Sequence, residues 1–316
     1  MTNTLFGGIE AGGTKFICAV AHQPPQFVTT TVIETTTPQE TLEKVCAFFF
    51  PYVKEGSLQS IGLASFGPID IDVHSPTYGY ITSTPKPNWQ NTNILGILKQ
   101  SLGLPFAFHH DVSGSAIGES RWGASKGSDP SLYLTIGTGI GGGYIIDGKP
   151  LSGLSILEMG HIHIPHPREI DPFEGICPYH RDCFEGLASG YAIEHRFGQR
   201  GETLPDNHPF WEIEAEHIAH ALVNYIFTLS PRKIVVGGGV MERSFLFPMV
   251  RNKVRAMINN YLQFDILLDR MEEYIVPPQL GKYSGVLGAI ALAMDISSTS
   301  STPEASRSFV SREGGA

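Results

Sequence analysis

Cys177-x-x-His180-x-x-Cys183 places three soft metal ligands within seven residues, and His161, His163 and His166 stand just upstream. Two thiolates and two imidazoles suit a tetrahedral structural Zn²⁺. Spacing leaves the fourth ligand open, because His161 and His163 point the same way on an extended chain. The competing reading is chance clustering in a chain with 12 histidines. Cys18 and Cys46 lie in apolar runs and read as buried core thiols, so no disulfide framework is expected.

Glycines supply a second kind of chemistry. Gly8-Ile9-Glu10-Ala11-Gly12-Gly13-Thr14-Lys15 nearly matches a P-loop. Thr and Lys stand in the reverse order, however, and a strand-like run follows where a Walker loop needs a helix. Consecutive glycines still let backbone N–H groups converge on phosphate oxygens, with Thr14 adding a hydroxyl and Lys15 a charge. Gly137-Thr138-Gly139-Ile140-Gly141-Gly142 satisfies the dinucleotide fingerprint in letters, yet it too runs into a strand. Two glycine-tipped hairpins facing each other would clamp the phosphate tail of a nucleotide. A third glycine loop, Gly237-Gly238-Gly239, follows the apolar run Ile234-Val235-Val236. Asp111 offers a carboxylate at the end of an apolar run, where α/β sheets turn side chains toward a ligand crevice. Taken alone, an Asp ahead of a helix is more often an N-cap.

The elements that must position these groups alternate in an α/β manner. Strands are expected at Leu5–Ile9, Phe16–Ala21, Ile61–Ser65 and Phe106–His110, and a strand–glycine–strand unit over Leu132–Ile146 that ends in an Asp147-Gly148 hairpin turn. Thr37-Pro38-Gln39-Glu40 opens a helix with a Thr cap and Pro in the first turn. Further helices are expected over Ile94–Leu102 up to Gly103, after Asp111, over Trp211–Ser230 up to Pro231, and over Ser284–Met294. The two strand–glycine–strand units, each with a threonine in its turn (Thr14, Thr138), suggest a duplicated architecture of two related halves.

The length of 316 residues fits about two domains. With 41% hydrophobic and 17% charged residues the chain is globular rather than disordered. A net charge of −9 disfavours a nucleic-acid binder that works by bulk positive charge and fits small-molecule partners. The longest apolar run, Gly285–Met294, is ten residues and too short for a bilayer, and Glu10 interrupts any signal-peptide core. A cytoplasmic protein without membrane partners is expected. From Ser297 the chain turns Ser/Thr-rich, the composition of a disordered tail.

Taken with the first glycine loop, Leu-Thr-Ile-Gly-Thr-Gly-Ile-Gly-Gly-Gly (134–143), Leu-Glu-Met-Gly-His (157–161), Gly-Ile-Cys-Pro-Tyr-His-Arg-Asp-Cys-Phe-Glu-Gly-Leu-Ala-Ser-Gly (175–190) and Val-Gly-Gly-Gly-Val (236–240) resemble, in order, the motifs of the ROK family of sugar kinases. The resemblance covers roughly residues 5–295 and is closest to the bacterial fructokinase branch, whose Cys-x-x-His-x-x-Cys separates it from many relatives. It implies an α/β actin/hexokinase-like (ribonuclease H-like) fold, two related α/β domains around a nucleotide and sugar cleft. The N-terminal domain would comprise 1–112 plus 282–295, the C-terminal domain 113–281, and the tail 296–316.

The same resemblance implies roles. Glu10, Gly12, Gly13, Thr14 and Lys15 would form the first phosphate loop, Gly137, Thr138 and Gly139 the second, and Gly237, Gly238 and Gly239 the adenosine-side loop for ATP. Glu10 stands where hexokinase-type proteins often carry Asp to orient hydrated Mg²⁺. Asp111 would be the catalytic base. Glu158, His161 and Glu185 would bind sugar hydroxyls, and His161 would complete a structural Zn²⁺ site with Cys177, His180 and Cys183. His163 and His166 are then expected to be solvated. His110 and Ser113 replace asparagines found in many members on either side of the base, which bears on sugar preference. Asn88-Trp89 is expected as an exposed turn whose Trp packs on the domain, with a sugar contact as the alternative, and Ser65-Phe66-Gly67-Pro68 is a further candidate contact. The implied function is ATP- and Mg²⁺-dependent phosphorylation of D-fructose by a homodimer without nucleic-acid partners. The alternatives are another hexose, a sugar-responsive repressor of the same family, or a non-catalytic sugar-binding module. The first glycine loop begins at Gly8, which leaves no expected room ahead of it for a DNA-binding segment.

Overall fold

The computed structural model describes residues 4–299. β1 (Leu5–Ala11) and β2 (Lys15–Ala21) form a hairpin around the first glycine turn, and β3 (Thr29–Glu34) adds to its outer edge. α1 (Pro38–Lys54) starts where the Thr37 hydroxyl accepts the Glu40 N–H at 3.3 Å. The Glu40 carboxylate accepts from the Thr36 hydroxyl at 2.8 Å, one residue earlier than a capping box would have it. β4 (Leu58–Ser65) and β5 (Phe106–His110) join in parallel on the other side of β1, completing the sheet order β3-β2-β1-β4-β5. α2 (Ile94–Leu102) lies between them in sequence and stops at Gly103, whose φ of 64° is left-handed.

α3 (Asp111–Trp122) leads to the second half. β6 (Ser131–Ile136) and β7 (Ile140–Ile146) form the second glycine hairpin, and β8 (Lys149–Pro150) extends it through the Asp147-Gly148 turn, both of whose residues have positive φ. α4 (Phe184–Ala188), α5 (Gly190–Phe197) and α6 (Phe210–Leu229) follow, the last closed by Ser230 in a left-handed cap. β9 (Lys233–Gly237) pairs in parallel with β6. α7 (Leu246–Ile258), the single turns α8 (Asp265–Leu268) and α9 (Met271–Tyr274), and β10 (Ile275–Val276) complete the half.

The second sheet runs β10-β9-β6-β7-β8, which read backwards is the first sheet's order with β6 in place of β1. The duplication expected from the two threonine-bearing glycine turns is therefore present in strand order, direction and turn position.

Each sheet is covered on both faces, and the covering helices are exchanged. Phe16, Ile61 and Leu63 pack under α1 and α2, while Ile17, Ala19 and Ala21 meet Val286, Leu287 and Ile290 of the last helix, α10 (Ser284–Thr299). Leu134, Ile234 and Val236 pack under α6 and α7, while Tyr133, Ile145 and Val235 meet Val112 and Ala116 of α3. α3 and α10 then pack on each other through small residues. A Cβ at Gly288 would stand 1.7 Å from the Gly114 carbonyl oxygen, so only glycine permits this approach.

α10 runs to Thr299, past the expected start of the tail, because the Ser297 hydroxyl bonds back to the Ala293 carbonyl at 3.2 Å and meets the Ser60 hydroxyl at 2.9 Å. The rest of the expected tail, 300–316, lies outside the described residues. None of the described helices is long and apolar enough to cross a membrane. Cys18 and Cys46 are buried free thiols, as expected.

Candidate active site and metal centre

The Cys/His cluster is assembled from two segments. His161 ends a 3-10 turn (Met159–His161) whose Met159 carbonyl accepts the Tyr225 hydroxyl from α6. Cys177, His180 and Cys183 sit in a tight loop closed by reciprocal backbone bonds between Cys177 and Arg181, at 3.1 and 2.9 Å. The His161 Nδ1 stands 3.8 Å from the Cys177 Sγ and 3.6 Å from the Cys183 Sγ, and the His180 Nδ1 stands 3.6 Å from the Cys177 Sγ. All four ligand atoms lie within 4.8 Å of one another. Zn–S and Zn–N bonds of about 2.3 and about 2.05 Å at tetrahedral angles give S···N edges of about 3.6 Å. The four donors thus fit a zinc ion. Burial pushes the Cys183 thiol up to about 12, so a nearby cation is what would draw off its proton.

His163 is exposed, as expected. His166 is not solvated: its side chain is 4% exposed, with Nδ1 3.3 Å from Asp182 Oδ2 and Nε2 3.0 Å from the Asp171 carbonyl. Asp171 is itself buried beside Arg196 and His217. Burial opposes its charge, but the Arg196 hydrogen bond and guanidinium hold the Asp171 carboxyl below its ordinary range. His166 therefore clamps the segment leaving His161 to Asp182, the neighbour of Cys183.

Cys183 is the N-cap of α4, which carries Glu185. Glu185 faces two ways, with Oε1 3.9 Å from the His161 Nε2 and Oε2 accepting the Ile140 N–H at 2.8 Å. It thereby joins the Cys/His cluster to the second glycine hairpin. Glu158 stands at the start of the His161 turn, and its carbonyl accepts the His161 N–H at 3.1 Å. Its carboxylate makes no hydrogen bond among the described residues.

The first hairpin turn is closed by the Gly12 N–H on the Lys15 carbonyl at 3.0 Å, and the space beside Gly13 is open. In the second, Gly137 N–H bonds the Gly139 carbonyl at 2.9 Å. α5 begins against this turn, with Gly190 N–H on the Gly137 carbonyl at 2.7 Å. A cavity of about 670 Å³ opens between Thr14, Lys15, Thr138, Tyr191, Gly239 and Arg243. The tertiary structure thus brings both glycine hairpins and the third loop to one space. Sequence reasoning missed α5 and Tyr191; the Ser189-Gly190 pair, where the Ser189 hydroxyl caps Ala192 N–H at 3.1 Å, is the signal that marks this helix start. Gly238 has φ 91°, and a Cβ there would stand 2.4 Å from the Ile136 carbonyl oxygen.

A neighbouring cavity of about 540 Å³ shares Gly239 and is lined by Glu10, Asp111, Gly237, Gly238 and Lys282. Asp111 is the first helical residue of α3 rather than its cap, which is His110. Its Oδ1 accepts the Val112 N–H at 2.7 Å. Burial, and then the Asp111 charge, push the Glu10 carboxyl up to about 7. Among the described residues Glu10 Oε2 is buried without a hydrogen-bond partner, an orphan that a cation in this cavity would satisfy.

Two weaker candidates fall elsewhere. Trp89 is fully buried between Phe16 and Phe66, with its indole N–H on the Thr36 carbonyl at 2.8 Å. It is core rather than an exposed turn. Ser65 is buried with its hydroxyl on the Phe66 carbonyl at 3.0 Å.

The ROK family model matches residues 6–296. The chain is 47% identical over 290 residues to a putative fructokinase of Bacillus subtilis, covering 92% of this chain and 95% of that one. It is 44% identical over 295 residues to a fructokinase of Streptococcus mutans, covering 92% and 98%. Among solved structures, the ROK hexokinase of Thermus thermophilus superposes with a TM-score of 0.76 at 23% identity, over 94% of this chain and all of that one. A ROK glucokinase of Streptomyces griseus, solved with glucose and AMPPNP, gives 0.71 at 23% identity, over 92% and 99%. The paired glycine hairpins and the exchanged helices thus form an actin/hexokinase-like fold, and this chain is a member of the ROK family.

Proposed function

We propose that this chain is a fructokinase that transfers the γ-phosphoryl group of ATP to O6 of D-fructose. The observation that carries the reading is a pair of neighbouring cavities that share Gly239 in their linings. One lies between the threonine-bearing hairpins, and the other holds the Asp111 and Glu10 carboxylates. The names of relatives more than 40% identical over nearly their whole length support fructose as the sugar.

In this reading the Asp111 carboxylate accepts the O6 proton as the O6–P bond forms and the bond from phosphorus to the bridging oxygen of ADP breaks. Backbone N–H groups around Gly12–Thr14 and Gly137–Gly139 hold the phosphates, with Gly237–Gly239 on the adenosine side. Glu10, whose buried Oε2 is unpartnered among the described residues, would face Mg²⁺, which would offset phosphate charge. His161, Cys177, His180 and Cys183 would hold Zn²⁺, which would fix the His161 imidazole and leave its Nε2, with Glu185 and Glu158, for sugar hydroxyls.

The residues 1–112 with 282–295 and 113–281 act as two domains that close on the sugar and exclude water. The exchange of α3 and α10 between the sheets supports that division. The enzyme works in the cytoplasm as a homodimer without nucleic-acid partners, a reading supported by its family and its charge of −9.

The test is ADP release from MgATP with fructose, mannose, glucose, N-acetylglucosamine and N-acetylmannosamine offered separately. A preference for fructose is expected. Preference for another hexose refutes the substrate and keeps the chemistry, whereas no turnover on any sugar by folded, zinc-loaded protein refutes the kinase reading.

A further inference from the structure

Glu119 of α3 is fully buried, and its carboxylate accepts four hydrogen bonds. Oε2 accepts the Ala124 N–H at 2.7 Å and the Gln279 N–H at 3.1 Å. Oε1 accepts the Leu280 N–H at 2.9 Å and the Ser284 hydroxyl at 2.7 Å. That hydroxyl also lies 2.9 Å from the Gly281 carbonyl, and its one proton goes to the nearer, charged acceptor. Gly123 leaves room for the carboxylate, since a Cβ there would stand 2.0 Å from Oε2. A carboxylate has two acceptor oxygens and no donor, so no other kind of side-chain end satisfies all four bonds.

These bonds tie together the two stretches by which the chain passes between its halves. α3 follows the first sheet yet covers the second, with Val112 and Ala116 against Tyr133, Ile145 and Val235. Residues 277–283 follow the second sheet and lead into α10, which covers the first sheet through Val286, Leu287 and Ile290. Both stretches also reach the proposed chemistry. α3 carries Asp111 as its first residue, and Pro277, Pro278, Lys282 and Gly285 line the cavity that holds Asp111 and Glu10. Gly285, next to the fastened Ser284, lies so close to Glu10 that a Cβ there would stand 2.4 Å from the carboxyl carbon. The start of α10 therefore bounds the seat of Glu10, and Glu119 holds that start.

We propose that Glu119 is a positioning residue for phosphoryl transfer: by fastening the turn before α10 to α3, it fixes the Glu10 carboxylate relative to the Asp111 carboxylate. The inference rests on the reading of Asp111 as the base and of Glu10 as the carboxylate facing Mg²⁺. Glu119 itself touches no substrate and moves no proton. The groups proposed to bind sugar and phosphate are held by other bonds. Glu185 accepts the Ile140 N–H, and the Gly12 and Gly137 turns each close on a backbone bond of their own. Loss of the Glu119 tie should therefore lower turnover and leave ground-state binding in place.

The test compares Glu119→Gln, Glu119→Asp and Asp111→Asn with the wild type below the Tm of each. Steady-state kinetics vary sugar and MgATP separately, and hydrogen exchange follows the Gln279 and Leu280 amides. Gln sets an amide N–H against two donors, whereas Asp keeps the charge and withdraws both oxygens by one methylene. Both variants should lower kcat about 10- to 100-fold, with both KM values within about threefold. Exchange at the two amides should quicken at least about tenfold. Asp preserves the buried charge, so the comparison survives a Gln variant that fails to fold. Wild-type kcat in a folded variant whose amides exchange faster overturns the proposal, because the tie is then structural alone. A fall in kcat without faster exchange overturns it too, as do raised KM values with kcat unchanged. An active Asp111→Asn variant overturns the base reading itself, whereas an inactive one beside fully active Glu119 variants overturns only the positioning role.

Discussion

Cys183→Ser tests the coupling between the Cys/His cluster and the sugar site proposed beside it. Cys183 is fully buried, lies 3.6 Å from the His161 Nδ1, and caps the helix that carries Glu185. The S···N separations of 3.6–3.8 Å match the edges of a zinc tetrahedron, so replacing one sulfur with a weaker oxygen ligand on a shorter bond opens the site. Without zinc on Nδ1 the His161 ring is free to turn, and its Nε2 leaves its place 3.9 Å from Glu185 Oε1. The hydrogen bond at stake joins a neutral imidazole to a sugar hydroxyl and is worth about 0.5–1.5 kcal/mol net, so the KM for sugar should rise about 2- to 13-fold. The glycine hairpins proposed to hold phosphate each close on a backbone bond of their own, so KM for MgATP should stay within about threefold. Zinc content by atomic emission, two-substrate kinetics and a melting curve would be measured together. Stripping the wild type with a chelator should give the same rise in sugar KM and a lower Tm, and added zinc should reverse both. Cys183→Ser should not respond. A folded wild type with no zinc, or loss of zinc with sugar KM unchanged, refutes the reasoning.

Asp111→Ala should lower turnover about 10²–10⁴-fold. Its carboxylate makes one backbone hydrogen bond, so folding should be intact, and near-normal turnover would reject it as the base. Acid stability should depend on His217, which burial holds down to about 4 against an ordinary 6.5. Between those values the unfolded chain takes up a proton that the folded chain refuses, so the contribution is complete above 6.5 and is lost as pH falls to 4. The loss is at most about 3 kcal/mol, and His217→Gln should flatten the fall in Tm between pH 7 and pH 4.5; an unchanged slope counts against it. Gly288→Ala drives a methyl to 1.7 Å from the Gly114 carbonyl and should cost about 1–3 kcal/mol by parting α3 from α10, read as a lower Tm. An unaltered melting curve would show that the crossing gives way freely.

Among the described residues, what was legible in the sequence is what short stretches of chain decide by themselves. The α2 limits follow from apolar spacing and a glycine that can take a left-handed cap, and the Asp147-Gly148 hairpin follows from two residues that tolerate positive φ. Both glycine hairpins follow from strands too close in sequence to do anything but fold back. The duplication was legible for the same reason, since each half repeats one local unit. Three of the four clustered Cys/His donors sit within a single loop, so their spacing announced them.

Tertiary structure decided whatever depends on partners distant along the chain. His161 rather than His163 meets the cysteines because the Met159 turn is pinned by Tyr225, 66 residues away. His166, by sequence one of three alike histidines, is buried because Asp182 and Asp171 converge on it from either side. Trp89 is core because Phe16 and Phe66 enclose it and Thr36 offers a carbonyl. Asp111 could have been a cap, but the strand delivers His110 to that position, so the carboxylate is left for the cavity. Local hydrogen-bond closure is written in neighbouring residues. Burial and electrostatic environment are sums over the whole surrounding fold, which no window of sequence contains.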